Sequence, residues 1–185
     1  ATASNQITGT MDNSTHTYDA SKTLSRNLYS LVGYTFKGWA TSRNGSVVYS
    51  DEEEVLNIIE SGSITLYAVW EANKYQIKYN SNKPLGSSGN IFGSMNNSNH
   101  TYDETKTLLD NDYSLVGYTF KGWSTSLNGT VVYKDGEDIS NLSAEDSDIV
   151  NLYAVWEANK YKINYNSNQP LGSSGTITGS MNESI

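Results

Sequence analysis

The 185-residue sequence predicts an α+β fold that is mainly β and is built from tandem copies of one small unit. The first observation is a repeat: Gly33–Trp39 returns unchanged as Gly117–Trp123, and Leu66–Tyr75 returns as Leu152–Tyr161. The second is that short alternating polar and apolar segments are separated by clusters of Gly, Asn, Asp and Ser, which is typical of strands and turns. Near-identical blocks at a regular spacing indicate a repeat array rather than one large domain.

The spacing of the repeats divides the chain into three parts. The first block repeats after 84 residues (33 to 117) and the second after 86 (66 to 152), so the length change falls between Ser50 and Thr65. We therefore define a first unit (residues 1–73) that lacks its opening strand, a complete second unit (residues 74–157) and a tail (residues 158–185), which is the opening strand and loop of a third unit. Units of this size bury only a modest core. Because the chain has no cysteine, we expect that core to depend on its 14 Tyr, 4 Trp and 3 Phe.

Alternation within the strands predicts which side chains share a face. In Tyr75–Tyr79 the two tyrosines and Ile77 lie on one face of the strand. In the repeated heptapeptide, strict alternation places Phe120 and Trp123 on opposite faces. The pair Asn128-Gly129 follows, and we expect it to form the centre of a type I′ hairpin turn.

One segment in each unit predicts a short helix. Ser50 precedes the acidic and apolar run 51–59, and Glu53 is placed to complete a capping box with it. Acidic residues in the first turn also suit the helix dipole. The counterpart, Lys134–Leu142, has a weaker pattern that Gly136 interrupts. We predict one short helix in each unit.

Three motifs recur in the same order in this chain. They are an opening strand that contains Ile77–Asn80, then Gly117–Trp123, then a closing strand, Leu152–Trp156. In these motifs, and over nearly its whole length, the chain resembles the Listeria–Bacteroides repeat, the B-repeat of internalin-type surface proteins. The resemblance implies a small β-grasp-like α+β domain, strung in tandem on secreted or wall-attached bacterial proteins. It implies no enzymatic activity for the repeat, and roles in presentation, spacing and, in some members, adhesion.

The arrangement departs from that family pattern at both ends. The first unit lacks its opening strand, and a further copy of the strand, Tyr161–Tyr165, lies in the tail. An unpaired sheet edge in the first unit favours strand exchange, in which residues 158–185 of one molecule complete the first unit of the next, head to tail. The alternative is a permuted unit, in which Leu66–Trp70 and Tyr75–Tyr79 form a local hairpin. We favour exchange.

Charge and hydropathy limit the partners. The net charge is -8, and such a surface repels a phosphate backbone, so we expect no nucleic-acid partner. No apolar run is long enough to cross a bilayer, so we expect no membrane insertion. The expected partners are a second copy of the chain, through residues 158–185, and a host protein or glycan. We expect the chain to be extracellular, either secreted or attached to a bacterial cell surface.

No residue pattern predicts catalysis, a cofactor or a metal. His16 and His100 occupy equivalent positions, but one histidine per unit without cysteine is a poor metal-ligand set, so we expect surface or turn histidines. The acidic runs Asp135–Asp138 and Glu145–Asp148 lack the complete spacing of an EF-hand loop and predict solvated loops. We therefore predict no catalytic, cofactor-binding or metal-binding residue.

Binding residues are unknown, and the tryptophans are weak candidates. Tryptophan rings stack on sugars, but a small domain without disulfides also needs buried aromatic residues to fold, and we favour this second role. The sequence thus predicts a non-catalytic structural spacer or stalk. The alternative is an adhesion module that uses exposed aromatics and the variable segments 50–65 and 134–151. A spacer predicts buried tryptophans and an adhesin predicts a solvent-facing aromatic cluster. The four candidates are Trp39, Trp123, Trp70 and Trp156.

Overall fold

A computed structural model describes residues 7–179, which form short β-strands and turns and contain no helix. The strands are two to ten residues long and are joined mainly by turns that contain Gly, Asn or Asp at positive φ. In chain order, the strands in this range are β1 (Lys22–Thr23), β2 (Tyr34–Ala40), β3 (Glu54–Val55), β4 (Tyr67–Ala72), β5 (Lys74–Asn80), β6 (Ile91–Phe92), β7 (Ser98–Thr101), β8 (Lys106–Thr107), β9 (Ser114–Leu115), β10 (Tyr118–Ser124), β11 (Asp138–Ile139) and β12 (Ile149–Ala158).

The second unit is organised around a four-stranded sheet in the order β10-β12-β5-β7. The long strand β12 pairs antiparallel with β10 and parallel with β5, and β5 pairs antiparallel with β7. A parallel pair needs a long crossover connection, which residues 81–148 provide here. Two small antiparallel ladders, β8 with β11 and β6 with β9, complete the unit.

The first unit contains the same arrangement without a counterpart of β5. Strand β4 pairs with β2, and β1 pairs with β3, in the registers of their second-unit equivalents. Among residues 7–179, no strand lies at the edge of β4 that corresponds to the β5 edge of β12. Strand β4 has six residues whereas β12 has ten, so the parallel partner extends the closing strand by four residues at its start. The unit boundaries at residues 73 and 157 stay a prediction.

Each unit has its own aromatic core, and the two cores differ in size. The core of the first unit is built on Leu24, Trp39 and Val55, with partly buried neighbours around them. The core of the second unit contains the equivalents of those three side chains and five further buried residues. Its members are Tyr75, Ile77, Tyr79, Leu108, Trp123, Ile139, Leu152 and Ala154.

The prediction of one short helix in each unit is wrong. Glu52 (φ 54°) and its counterpart Gly136 (φ 61°) have left-handed backbones, which a right-handed helix does not accommodate. The Glu53 carboxylate does accept the Ser50 N–H at 2.6 Å, so the contact predicted from the capping box forms in a turn. The chain then enters β3 and buries Val55 in the core. The α+β, β-grasp-like description is therefore corrected to a mainly β fold for the described residues.

A β-bulge changes the face on which the heptapeptide tryptophans lie. The register between β10 and β12 shifts between Phe120 and Gly122, so Lys121 is the additional, exposed residue. The rings of Phe120 and Trp123 lie 5.0 Å apart in edge-to-face contact, and not on opposite faces as strict alternation predicts. The first unit contains the same bulge in β2.

The Asn-Gly pairs lie in turns, but not at the centre of a type I′ turn. The Gly129 N–H donates to the Ser126 carbonyl at 3.1 Å, so Gly129 is the last residue of its turn. The pairing expected across this turn does occur, because Trp123 forms an antiparallel bridge with Tyr133. The first unit shows the equivalent turn and bridge.

Candidate functional site

The opening strand of the second unit inserts three large side chains into the core. Tyr75, Ile77 and Tyr79 of β5 are 2%, 0% and 3% exposed, which confirms the predicted common face. The Tyr79 hydroxyl lies 3.0 Å from the Ser98 hydroxyl and accepts the Leu109 N–H at 3.0 Å. Strand β5 therefore contributes apolar area to the core and polar partners to β7 and to the segment that follows β8.

Polar contacts continue past the end of β5. The Asn82 amide donates to the Ala154 carbonyl at 2.9 Å, and the Trp156 indole N–H donates to the Ser81 carbonyl at 2.8 Å. A cavity of about 520 Å³ opens beside this stretch. Its lining is mixed polar and apolar and consists of Lys78, Tyr79, Asn80, Ser81, Asn82, Met95, Asn97, Tyr113, Leu127 and Tyr153.

His100 lies on β7 as the register partner of Tyr75 on β5, and it is 2% exposed. Its ring stacks on Tyr75 at a centroid distance of 5.4 Å, and its Nε2 lies 2.8 Å from the Ser98 hydroxyl, while Nδ1 has no partner. Burial lowers the pKa of His100 from its usual 6.5, and the nearby Lys106 lowers it further. The expected surface position is therefore wrong for His100, although His16 in the first unit is exposed.

The equivalent side chains of the first unit are uncovered. Tyr18 is 55% exposed, whereas its counterpart Tyr102 is 7% exposed. Leu66 is half-buried, whereas its counterpart Leu152 is fully buried. Residues 14–17 form no strand, although the same positions in the second unit form β7 beside β5. Leu66 and residues 14–17 thus mark the place that an opening strand occupies in the second unit, whereas Tyr102 is covered by Gly33 and Tyr34 of the first unit.

The tail carries the sequence of an opening strand without its structure. Residues 161–165 repeat the Tyr-x-Ile-x-Tyr pattern of β5 but form no strand. Tyr161, Ile163 and Tyr165 are 84%, 61% and 67% exposed. The hairpin expected for a permuted unit does not form either, because β4 and β5 belong to separate sheets.

The two units meet where Tyr102 covers Gly33. A methyl group on Gly33 would lie 2.2 Å from the Tyr102 ring, so only glycine allows this approach. The rings of Tyr34 and Tyr102 make an edge-to-face contact at 6.0 Å, and the Tyr34 hydroxyl donates to the Asp103 carboxylate at 3.0 Å. Burial, and then this hydrogen bond, raises the pKa of Tyr34.

Asn73 connects the two units through four hydrogen bonds. Its N–H donates to the Gly33 carbonyl at 2.8 Å, and its carbonyl accepts the Tyr102 N–H at 2.9 Å. Its side chain donates to the Ala144 carbonyl at 2.7 Å and accepts the Thr35 hydroxyl at 2.6 Å. Asn73 is 8% exposed, so these polar groups are paired away from water. We call the contacts of residues 33–35, 73, 102–103 and 144 the unit junction.

Half of the same junction is present at the end of the second unit. The Asn159 N–H donates to the Gly117 carbonyl at 2.8 Å, and the Thr119 hydroxyl donates to the Asn159 side chain at 2.7 Å. No atom lies within 4 Å of a methyl group built on Gly117, whereas Tyr102 covers Gly33. The surface that contacts the next unit is thus formed but uncovered.

The tryptophan candidates fall into two classes. Trp39 and Trp123 are 5% and 0% exposed, with indole nitrogens that have no partner, whereas Trp70 and Trp156 are half-buried. A sugar stacks only on an accessible ring face, so the second pair is the more accessible one. A binding role for any of the four stays a prediction.

The acidic runs use their carboxylates within the fold. Asp135 accepts the Asn111 N–H at 2.8 Å, and Asp138 accepts the Thr107 hydroxyl at 2.5 Å. Within residues 7–179 no three His, Cys, Asp or Glu side chains are grouped so that they could hold a metal ion. The same range contains no helix long and apolar enough to cross a membrane.

The repeat can be compared with known proteins. The family model of the Listeria-Bacteroides repeat domain matches residues 3–69 and 75–155. This chain belongs to that family. No solved structure matches it.

Two curated relatives of this repeat chain come from Evansella cellulosilytica. A protein named "Putative Gly-rich membrane protein" is 31% identical over 144 residues, which cover 75% of this chain and 16% of that protein. A protein named "Putative membrane protein" is 29% identical over 147 residues, which cover 79% of this chain and 20% of that protein. The matched part is thus about a sixth to a fifth of the length of these relatives.

Proposed function

We propose that this Listeria–Bacteroides repeat segment is a non-catalytic, extracellular spacer or stalk in a bacterial surface protein. Family membership supports a repeat array, and the names of the two relatives support a place at the cell envelope. The contacts of the unit junction are the observation that supports the spacer role. A stalk must hold its units in a restricted orientation, since freely jointed units collapse toward a random coil.

The unit junction supplies that restriction with contacts of three kinds. Asn73 bonds to both units through its backbone and its side chain. Tyr102 packs on Gly33 and Tyr34, and the Tyr34 hydroxyl bonds to Asp103. The connection between β4 and β5 is the single residue Asn73. Rotation of one unit against the other therefore breaks several contacts at once.

A distance measurement between spin labels tests the spacer role. The chain has no cysteine, so the substitutions Glu60→Cys and Asn128→Cys place one label on the exposed surface of each unit. We expect a narrow distance distribution that broadens when Tyr102→Ala removes the ring from the junction. Tyr18→Ala, at the equivalent exposed position of the first unit, is the matched control and should leave the distribution narrow. A broad distribution in the unsubstituted chain would contradict the spacer role.

Absence of catalysis is part of this proposal and has its own test. Membership of the Listeria–Bacteroides repeat family supports it, because the repeat is generally non-catalytic. We expect no turnover when the chain is incubated with polysaccharides and peptides. Hydrolysis that survives purification to homogeneity and that a point substitution abolishes would overturn the non-catalytic role.

One observation favours the alternative role of adhesion. Leu56, in the variable segment of the first unit, is 57% exposed, and its neighbour Ile59 is 37% exposed. Exposed apolar residues in a segment of variable length are common at recognition surfaces. Adhesion predicts binding to arrayed glycans or host matrix proteins that Leu56→Asp abolishes, whereas Leu127→Asp, at an exposed leucine of the second unit, leaves it unchanged. Binding to no arrayed molecule would count against it.

A further inference from the structure

We propose that β5 and β12 form a mechanical clamp, by which a complete unit resists unfolding when the stalk is pulled along its length. We call the contacts of residues 76–82 with residues 148–156 the clamp. The proposal deepens the spacer role and rests on it for the source of the load. The geometry of the clamp, in contrast, is a property of one unit.

Tension along an array of these units enters and leaves each unit at fixed points. Strands β4 and β5 are separated by the single residue Asn73, so the closing strand of one unit passes the load directly to the opening strand of the next. The closing strand β12 ends at Ala158, and Asn159 then repeats the backbone contact of Asn73, because its N–H donates to the Gly117 carbonyl at 2.8 Å. A pull along the array therefore acts at the start of β5 and at the end of β12.

The parallel pairing of β5 with β12 places these two points at opposite ends of one ladder. The register partners run from Gln76 with Ile149 to Asn80 with Tyr153. The hydrogen bonds of a parallel pair are evenly spaced along the strands. A pull at the start of β5 and the end of β12 slides one strand along the other, so all of these bonds bear the load together. If the two strands were antiparallel, the same pull would open the ladder from one end, one bond at a time.

Side-chain hydrogen bonds extend the clamp beyond the end of β5. The Asn80 amide donates to the Leu152 carbonyl at 3.0 Å. The Asn82 amide, two residues further along the chain, donates to the Ala154 carbonyl at 2.9 Å. Both bonds join the segment that opens the unit to the strand that closes it. They therefore bear the same load as the backbone ladder and increase the number of bonds that must break together.

The core covers one face of the clamp. Ile77 and Tyr79 of β5, with Leu152 and Ala154 of β12, are at most 3% exposed. Hydrogen bonds are stronger where the surroundings exclude water, and this burial keeps water from one face of the ladder. Sliding the strands also moves these four side chains out of their packed positions at the same time. The burial of the clamp therefore adds to its resistance.

The long crossover between the two strands lies outside the path of the load. Residues 83–147 connect the two sides of the clamp and bear no tension while it is intact. Once the clamp breaks, this segment is free to extend, and its fully extended length is roughly 220 Å. The clamp therefore decides whether a pulled unit keeps its folded length or releases the crossover.

Pulling the second unit in two directions with optical tweezers tests the clamp. The chain has no cysteine, so a pair of cysteines at exposed positions can hold the two handles. Lys74→Cys with Lys160→Cys loads opposite ends of the ladder, as the array does. Lys74→Cys with Ile149→Cys loads the same end of both strands and opens the ladder bond by bond. At one loading rate, we expect a higher unfolding force for the first pair. Equal forces, or a higher force for the second pair, would overturn the clamp, whereas the spacer role depends on the distances between spin labels.

A single asparagine tests whether the far end of the clamp shares the load. Asn82→Ala removes hydrogen bonds to the Ala154 and Leu127 carbonyls. At constant force it should raise the unfolding rate about tenfold for the first pair of handles and much less for the second, in which the bonds break from the other end. Asn111→Ala is the matched control, because it also removes two side-chain bonds, both with Tyr113 and outside the clamp. It should change both rates by the same factor. An Asn82→Ala effect that is equal in the two directions would contradict shared loading.

Discussion

The same residue type at equivalent positions of the two units can have different environments, and for the histidines the opening strand accounts for the difference. His100 is buried under Tyr75, and its Nδ1 has no hydrogen-bond partner. His16 occupies the same position in the repeat and is exposed. A protonated imidazole carries two N–H donors, of which His100 can satisfy one. The folded chain therefore favours the neutral form of His100.

Because His100 is buried in its neutral form, we expect a lower pH to decrease the free energy of unfolding of the second unit. Its pKa is lowered in the folded state, so the unfolded chain binds the proton first as the pH falls. Neutral His100 contributes fully to the free energy of unfolding above about pH 6.5, which is the pKa of histidine in the unfolded chain. This contribution decreases as the pH falls below that value. We expect the urea concentration at which half of the second unit is unfolded to decrease when the pH is lowered from 7.5 to 5. His100→Gln should flatten that dependence and His16→Gln should leave it in place; an unchanged slope in His100→Gln would contradict neutral burial.

The backbone conformation of the bulge glycine, Gly122, predicts how much one added methyl group lowers the free energy of unfolding. Gly122 has φ 139°, and a Cβ there would lie 2.6 Å from the Tyr133 carbonyl oxygen. Gly122→Ala thus combines backbone strain with a backbone clash and should lower the free energy of unfolding by about 2–4 kcal/mol. Gly62→Ala is the control, because Gly62 also has a positive φ but open space around it. It should cost about 1 kcal/mol. Equal losses in thermal unfolding experiments would show that the contact with Tyr133 is unimportant.

At the scale of elements, the same strand sequence adopts two structures. Lys74–Asn80 forms β5 between two neighbours, whereas residues 160–166 have the same apolar pattern and form no strand. An isolated strand leaves its backbone N–H and C=O groups to water and buries no side chain. Strand formation here depends on an available sheet edge, and the sequence pattern alone does not decide it.

This dependence predicts opposite outcomes for one substitution at two repeat positions. Ile77→Ala removes a fully buried side chain and should lower the free energy of unfolding of the second unit by about 2–5 kcal/mol. Ile163→Ala changes a side chain that is 61% exposed and should have no measurable effect in dilute solution. Chemical denaturation of both variants checks this. A comparable loss in Ile163→Ala at low concentration would mean that the tail packs within its own chain.

The second unit contains a signal for the turn at residues 50–53 that the first-unit sequence does not show. The acidic run of the first unit resembles a helix start, and the Glu53 contact to Ser50 does form. In the second unit glycine replaces Glu52, and both residues have a left-handed backbone. Gly136 was therefore the available signal for a turn, since glycine tolerates that conformation and a helix interior does not favour it.

For the whole molecule, the two units differ in core size although most of their sequence is shared. The second core contains eight buried residues and the first contains three. The additional members include Tyr75, Ile77 and Tyr79 from the opening strand, together with Leu152 and Ala154 of the closing strand that it covers. Buried apolar area is the dominant favourable term in folding, so the second unit should be the more stable one.

That difference predicts two unfolding transitions in dilute solution. We expect the first unit to melt at the lower temperature, with the second unit following it. Val55→Ala should lower only the first transition, and Ile139→Ala, at the equivalent buried position, should lower only the second. Differential scanning calorimetry separates these outcomes. A single cooperative transition that both substitutions shift equally would show that the unit junction couples the two cores.

The sequence by itself determined the tandem repeat, the family, the mainly strand composition and the common face of Tyr75, Ile77 and Tyr79, because local alternation and identical blocks need no partner to be recognised. Only the tertiary structure decided the parallel pairing of β5 with β12, the bulge that turns Trp123 toward Phe120, and the turns in place of helices. The pairing and the bulge depend on contacts between residues distant in sequence, and the turns lead into β3 and β11, which pair with the distant strands β1 and β8. The same reason explains why residues 161–165 form no strand, because a strand is stable only where a sheet supplies its hydrogen bonds and covers its apolar face.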